Sequence, residues 1–218
     1  MKASDAMKSF AMKQMYSYID KDPDNNIPKL LDLLESSDKN GNSVTDQVKG
    51  IRSAIQDKDS NWYKLVKSLW TDIDDGQRRA LIEAAVINAS LIGTPITIEN
   101  QEKYGCNIPW AILMDPTSAC NLHCTGCWAA EYGNKLNLTL DELDSIIRQG
   151  KELGTYIYIY SGGEPLVRKN DLIKLCEKHK DCAFLAFTNG TLIDDAFADE
   201  MLRVKNFVPA ISIEGFEE

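Results

Sequence analysis

The sequence predicts an α/β fold in which parallel strands follow a small all-α region. Three observations carry this reading. Apolar residues recur at helical spacing up to about residue 100, short apolar runs alternate with amphipathic helices beyond residue 110, and the chemistry-bearing residues fall where those runs end. Strands separated by helices of this length pair in parallel through right-handed crossovers, as a sheet or a barrel. The expected division is a helical region at 1–100 and a strand-helix domain at 101–218.

The helical region contains five candidates, "DAMKSFAMKQMYSYI", "IPKLLDLLESS", "VTDQVKGIRSAI", "NWYKLVKSLWTDI" and "GQRRALIEAAVINASLI". Turn-rich pieces such as "DKDPDNN" and "DKNGNS" separate them. Their Met and aromatic residues recur at core spacing. The texture changes after "GTPITIENQEKYG". "WAILMDPT" is the first strand, and "LTLDELDSIIRQGKELG" is a helix with Thr139 and Glu142 placed as a capping box and Gly154 as its stop. "TYIYIYSGG" is the second strand, "KNDLIKLCEKHK" the next helix and "AFLAFTNG" the third strand. The helix "DDAFADEMLRVK" and the strand "FVPAISIEG" complete the pattern. Tyr156, Tyr158 and Tyr160 share one face of the second strand, facing either a lumen or the core.

A formal charge of −9 in 218 residues argues against nucleic acid or an anionic membrane as partner, because both are polyanions. No run of about eighteen apolar residues is free of charge. The nearest, "ALIEAAVINASLIG", is interrupted by Glu83 and Asn88 and reads as a buried helix, so no membrane span is expected. The N-terminus lacks a continuous apolar core and a cleavage signal, which points to a cytoplasmic, reducing location. The six cysteines are therefore read as thiols or metal ligands.

In "SACNLHCTGCWAAEYG", Cys120, Cys124 and Cys127 can turn three thiolates toward one compact metal centre. Zinc in a structural site takes a fourth protein ligand, which His123, Cys106 or another distant group would have to supply. A 4Fe-4S cluster held by three cysteines instead leaves one iron open to a substrate or cofactor. Cys176 and Cys182 read as buried small hydrophobes, and His179 as a complement to a helix C-terminus. The cysteine loop, "GGEP", "TNG" and "SIEG" each follow a strand, so four stretches converge on one rim, where sites of parallel sheets and barrels gather.

With its C-x3-C-x2-C spacing followed in order by "SGGEP" and "TNG", the chain from about residue 108 resembles the radical S-adenosylmethionine superfamily. The resemblance implies a partial (beta/alpha) barrel, with Cys120, Cys124 and Cys127 holding an oxygen-sensitive 4Fe-4S cluster. Its open iron would chelate S-adenosylmethionine, which the reduced cluster cleaves to a 5′-deoxyadenosyl radical that abstracts hydrogen from a substrate not identified by the sequence. The resemblance further implies that Gly162, Gly163 and Glu164 serve the methionyl amine, that Thr188 and Asn189 lie near the cofactor, and that Ser212 and Glu214 contact the ribose. A low-potential electron donor such as flavodoxin or ferredoxin is the implied partner. Many members carry an aromatic residue before the third cysteine, whereas this chain has Gly126 there and Trp128 after, so Trp128 either stacks from the other side or packs under the loop. About six strands make such a barrel and four are legible here, so a fragment of a longer protein is expected. The competing reading is a metal-binding or interaction module, zinc or iron-sulfur, without turnover.

Overall fold

Four short apolar runs pair in the order in which they occur along the chain. In a computed structural model they are β1 (Ala111–Met114), β2 (Ile157–Tyr160), β3 (Ala183–Thr188) and β4 (Phe207–Ile211). The structure describes residues 3–37, 49–50, 52–53, 55–127, 129, 133, 135–213 and 215. Trp128, Glu214 and residues 44–48, 51 and 54 of the third expected helix lie outside the described residues. The chain divides into two units, Met1–Arg78 and Arg79–Glu218.

The first unit is helical: α1 (Ala3–Lys21), α2 (Pro23–Ser37), α3 (Asn61–Thr71) and the start of α4 (Asp75–Ile82). Ser60 caps α3 by accepting the Tyr63 amide at 3.1 Å, as a serine before an amphipathic run should. Arg78 is buried, and its guanidinium donates to Tyr16 Oη at 2.8 Å and Asp20 Oδ1 at 2.7 Å, which fastens α4 to α1.

The helix does not end at Ile92, as the apolar pattern suggested. It continues through a π-helical stretch, Glu83–Gly93, into α5 (Thr94–Tyr104). Pro95, which would break an α-helix interior, sits where the winding changes. Asp75–Tyr104 is the one helix among the described residues that is long and apolar enough to cross a membrane by length and composition. Its polar interruptions have partners: the Asn88 amide donates to Asp181 O at 2.9 Å and the Asn100 amide to Glu152 O at 3.3 Å. These bonds hold the helix against segments that lead into β2 and β3.

All four strands are parallel in the order β1-β2-β3-β4, with Met114 opposite Tyr160, Tyr160 opposite Ala186 and Ala186 opposite Pro209. The crossovers are α6 (Leu140–Leu153), α7 (Lys169–Lys178) and α8 (Asp195–Val204). This is the expected α/β arrangement, with strand order equal to chain order, and the four strands do not close on one another. The Thr139–Glu142 capping box starts α6, and Gly154 at φ +97° stops it.

One sheet face carries Met114, Tyr158, Tyr160, Phe184, Ala186 and Phe207, which are buried against apolar residues of all three crossover helices. Tyr160 stacks on Phe184 with centroids 5.8 Å apart. Tyr158 and Tyr160 are therefore core residues, and the lumen alternative for them falls away. Burial of a ring such as Phe184 or Phe207 stabilises the fold by about 1.5–3 kcal/mol. Cys176 and Cys182 are fully buried, and burial pushes both thiols up, which leaves them unreactive. His179 is more than a helix-end cation: it is buried with Nε2 2.8 Å from Asp144 Oδ1. Burial pushes its pKa down despite that carboxylate, so the imidazole is neutral near pH 7.

Candidate functional site

The loop from β1 to α6 is closed at its base before it reaches the cysteines. Ser118 N donates to Leu136 O at 2.8 Å, Leu138 N to Pro116 O at 3.1 Å, and Thr117 Oγ1 to Asn137 Oδ1 at 2.6 Å. Arg168, just past "GGEP", donates to Pro116 O at 3.0 Å and to Leu138 O, and Asp171 orients its guanidinium at 2.8 Å. One side chain therefore clamps both strands of the stem.

Within the loop, Cys127 N donates to Cys124 O at 3.3 Å, closing a turn whose third residue is Gly126 at φ +76°. A bulky side chain at that backbone angle is strained, which gives a local reason for glycine, and not an aromatic residue, before Cys127. Cys120 is half-buried, and its Sγ accepts the Leu122 amide at 3.4 Å. Cys124 and Cys127 are exposed. All three cysteines, with Ser118, His123 and Gly163, line one pocket of about 190 Å³. Among the described residues, no three His, Cys, Asp or Glu side chains are already gathered as a metal-holding group. The donor chemistry nonetheless suits a soft metal centre, since three free thiols border one small volume.

At the end of β2, the glycine pair meets backbone. Gly163 N donates to Thr117 O at 3.0 Å and Glu164 N to Ala119 O at 2.8 Å, extending the parallel ladder past the strands. A Cβ at Gly163 would lie 2.3 Å from Ala119 O, and one at Gly162 (φ +106°) 2.5 Å from Thr117 O. The close approach these glycines permit in this structure is to the segment leading into Cys120. Both also border a larger pocket of about 700 Å³, together with Asp115, Ser118 and Lys135.

Glu164 is buried and ties three segments together. Its Oε1 accepts Leu166 N at 2.9 Å and Thr188 Oγ1 at 2.7 Å, and its Oε2 accepts Asn189 N at 2.9 Å. Thr188 is buried, and its Oγ1 also accepts Gly190 N at 3.0 Å. The Asn189 side chain reaches the cysteine loop, donating to Asn121 Oδ1 at 3.0 Å and accepting Thr191 Oγ1 at 2.6 Å. Asn121 in turn donates to Thr191 Oγ1 at 2.8 Å. Ser212 is exposed beside this network, its amide donating to Thr188 O at 2.9 Å. The structure thus gathers the three cysteines with Gly163 in one pocket, and Glu164, Thr188 and Asn189 in one hydrogen-bonded network. Asn121 and Thr191 complete it, and neither they nor Arg168, which holds the stem, was singled out from the sequence. For Asn121 a signal existed, in a polar side chain directly after the first cysteine.

Residues 114–218 match the radical SAM superfamily. The Fe-coproporphyrin III synthase of Methanosarcina barkeri is 32% identical over 113 residues, covering 49% of this chain and 28% of that protein. The GTP 3′,8-cyclase of Clostridium perfringens is 31% identical over 102 residues, covering 44% of this chain and 31% of that protein. The chain thus spans about a third or less of the length of these relatives. Streptococcus suis SuiB, solved with its precursor peptide SuiA, superposes with a TM-score of 0.44 at 23% identity, over 56% of this chain and 28% of that one.

Proposed function

We propose, from the premise that residues 114–218 belong to the radical SAM superfamily, that the strand-helix domain, 101–218 as read from the sequence, serves a radical S-adenosylmethionine enzyme. Cys120, Cys124 and Cys127 hold a 4Fe-4S cluster, and S-adenosylmethionine lies against the ends of β2, β3 and β4. When bound and reduced, this pair supplies a 5′-deoxyadenosyl radical for hydrogen abstraction from a substrate still to be identified. The observation that supports this reading most is the pocket shared by all three thiols and Gly163. The chain's own contribution is positional. The stem clamped by Arg168 fixes where the cysteine loop starts, and the Gly163 and Glu164 amides hold the approach to Cys120. Glu164, itself buried, sets the Thr188–Asn189 turn beside that loop, with Gly162 at the end of β2 and Ser212 bonded to Thr188 O beside it; Ser212 and Glu214 are proposed to contact the ribose. Free thiols suit a reducing cytoplasm and a one-electron donor of flavodoxin or ferredoxin type.

Anaerobic reconstitution followed by iron, sulfide and zinc analysis tests the proposal. About four irons per chain are expected, lost when Cys120, Cys124 or Cys127 becomes Ala. Reduction in the presence of S-adenosylmethionine should release methionine and 5′-deoxyadenosine in equal amounts. Stoichiometric zinc without iron would overturn the reading in favour of a metal-binding module without turnover.

A further inference from the structure

We infer that Asn121 is a positioning residue, which fixes the first cysteine relative to the end of β3. This deepens the reading above and rests on it. The cysteine loop is anchored at its base by backbone bonds and Arg168, on the β2 side. Toward β3, the bonds come from the residue adjacent to Cys120. The Asn121 amide both accepts from Asn189 Nδ2 at 3.0 Å and donates to Thr191 Oγ1 at 2.8 Å. Asn189 Oδ1 accepts from Thr191 N at 3.0 Å and Thr191 Oγ1 at 2.6 Å, so three side chains close a ring. The ring's far side is set by buried Glu164 through the Asn189 amide. A planar carboxamide is the group that can donate and accept at once in this place. Aspartate would only accept, and alanine would do neither. The separation between the thiol set and the β3 turn, two halves of the proposed site, is thereby held by one side chain on the loop. Asn121 touches neither cofactor in this scheme and acts through Cys120 and Asn189.

The test uses the full chain without metal, under reducing conditions, with iodoacetamide as probe and alkylation of each cysteine followed by peptide mass spectrometry. Cys106, exposed and outside the loop, is the internal reference. Asn121→Ala should raise the rate at Cys120 about three- to tenfold relative to Cys106, the loss expected for one or two solvent-accessible hydrogen bonds. Thr191→Val should give a similar rise, the double variant no more than the larger single one, and Asn121→Asp an intermediate rate. An unchanged Cys120 rate in a variant with a wild-type circular dichroism spectrum and melting temperature overturns the inference. The second readout is S-adenosylmethionine affinity of reconstituted protein, which should fall in Asn121→Ala with iron content retained. Equal affinity there would also overturn a positioning role. If the wild-type chain takes up no iron, the proposed function fails separately, while the alkylation comparison still decides whether Asn121 holds the loop.

Discussion

Replacing Gly163 by Ala adds a single methyl group, and the structure states what it meets. The new Cβ would lie 2.3 Å from Ala119 O, 2.6 Å from Ala119 C and 2.6 Å from Ser118 O, where ordinary contact begins at 3.4 Å. Those atoms are backbone and cannot rotate away, so the Ser118–Ala119 segment must retreat by about 1 Å. Retreat loosens the bonds from Gly163 N to Thr117 O and from Glu164 N to Ala119 O. Two weakened bonds at about 1 kcal/mol each and about 1–3 kcal/mol of overpacking give a loss of about 3–5 kcal/mol. For a unit of this size the melting temperature should fall by about 6 °C or more. Thermal denaturation followed by circular dichroism measures it, with Gly215→Ala as control, since nothing lies within 4 Å of a Cβ there. The displaced backbone also precedes Cys120, so iron uptake on reconstitution should fall along with stability. A Gly163→Ala protein that melts within about 1 °C of wild type would refute the packing argument and leave ligand approach as the reason for the glycine.

Glu164→Gln should cost about 2–3 kcal/mol in urea denaturation, because a buried amide cannot accept from Leu166, Thr188 and Asn189 together; a change below about 0.5 kcal/mol would contradict the tie between β2 and β3. Thr139→Ala should lose about 1 kcal/mol by removing the capping box of α6, and an unchanged denaturation midpoint would mean that the cap contributes nothing. His179 sets an acid sensitivity. Its folded pKa lies below the ordinary 6.5, so as pH falls through 6.5 the unfolded chain takes up a proton that the folded chain resists, and stability drops. Melting temperature should therefore fall from pH 7 to about 5, still within the range where Asp144 stays ionised, because its bonds from Lys178, His179 and Arg148 outweigh burial and hold it low. The same titration of His179→Gln should show a shallower slope, and parallel curves would remove His179 as the cause.

The strand-helix alternation was legible because hydrophobic period is local, and the capping box and Gly154 fixed the limits of α6 within a residue. The helix at Asp75–Tyr104 was cut short at Ile92, because Pro95 and the β-branched run "TPITI" argue for an end in any local window. The convergence of strand ends was legible from topology alone. What occupies the space beside Gly162 and Gly163 was not, because Thr117 and Ala119 come near them only once β1 and β2 have paired. The sequence offered His179 only a helix C-terminus to complement, for the same reason: its partner Asp144 lies on another helix.

The order of the strands also fixes when the site can come into being during synthesis. Because β1 to β4 pair in chain order, each strand-helix unit can dock on its predecessor as it emerges from the ribosome. The partners of Asn121 are 68 and 70 residues downstream, on the β3 turn. At about 5–20 residues per second, the three thiols wait roughly 4–14 s before the ring that steadies them can close. On the proposed function, metal delivered during that interval would meet a looser loop than the finished fold presents, so the timing of loading relative to translation would follow from this topology.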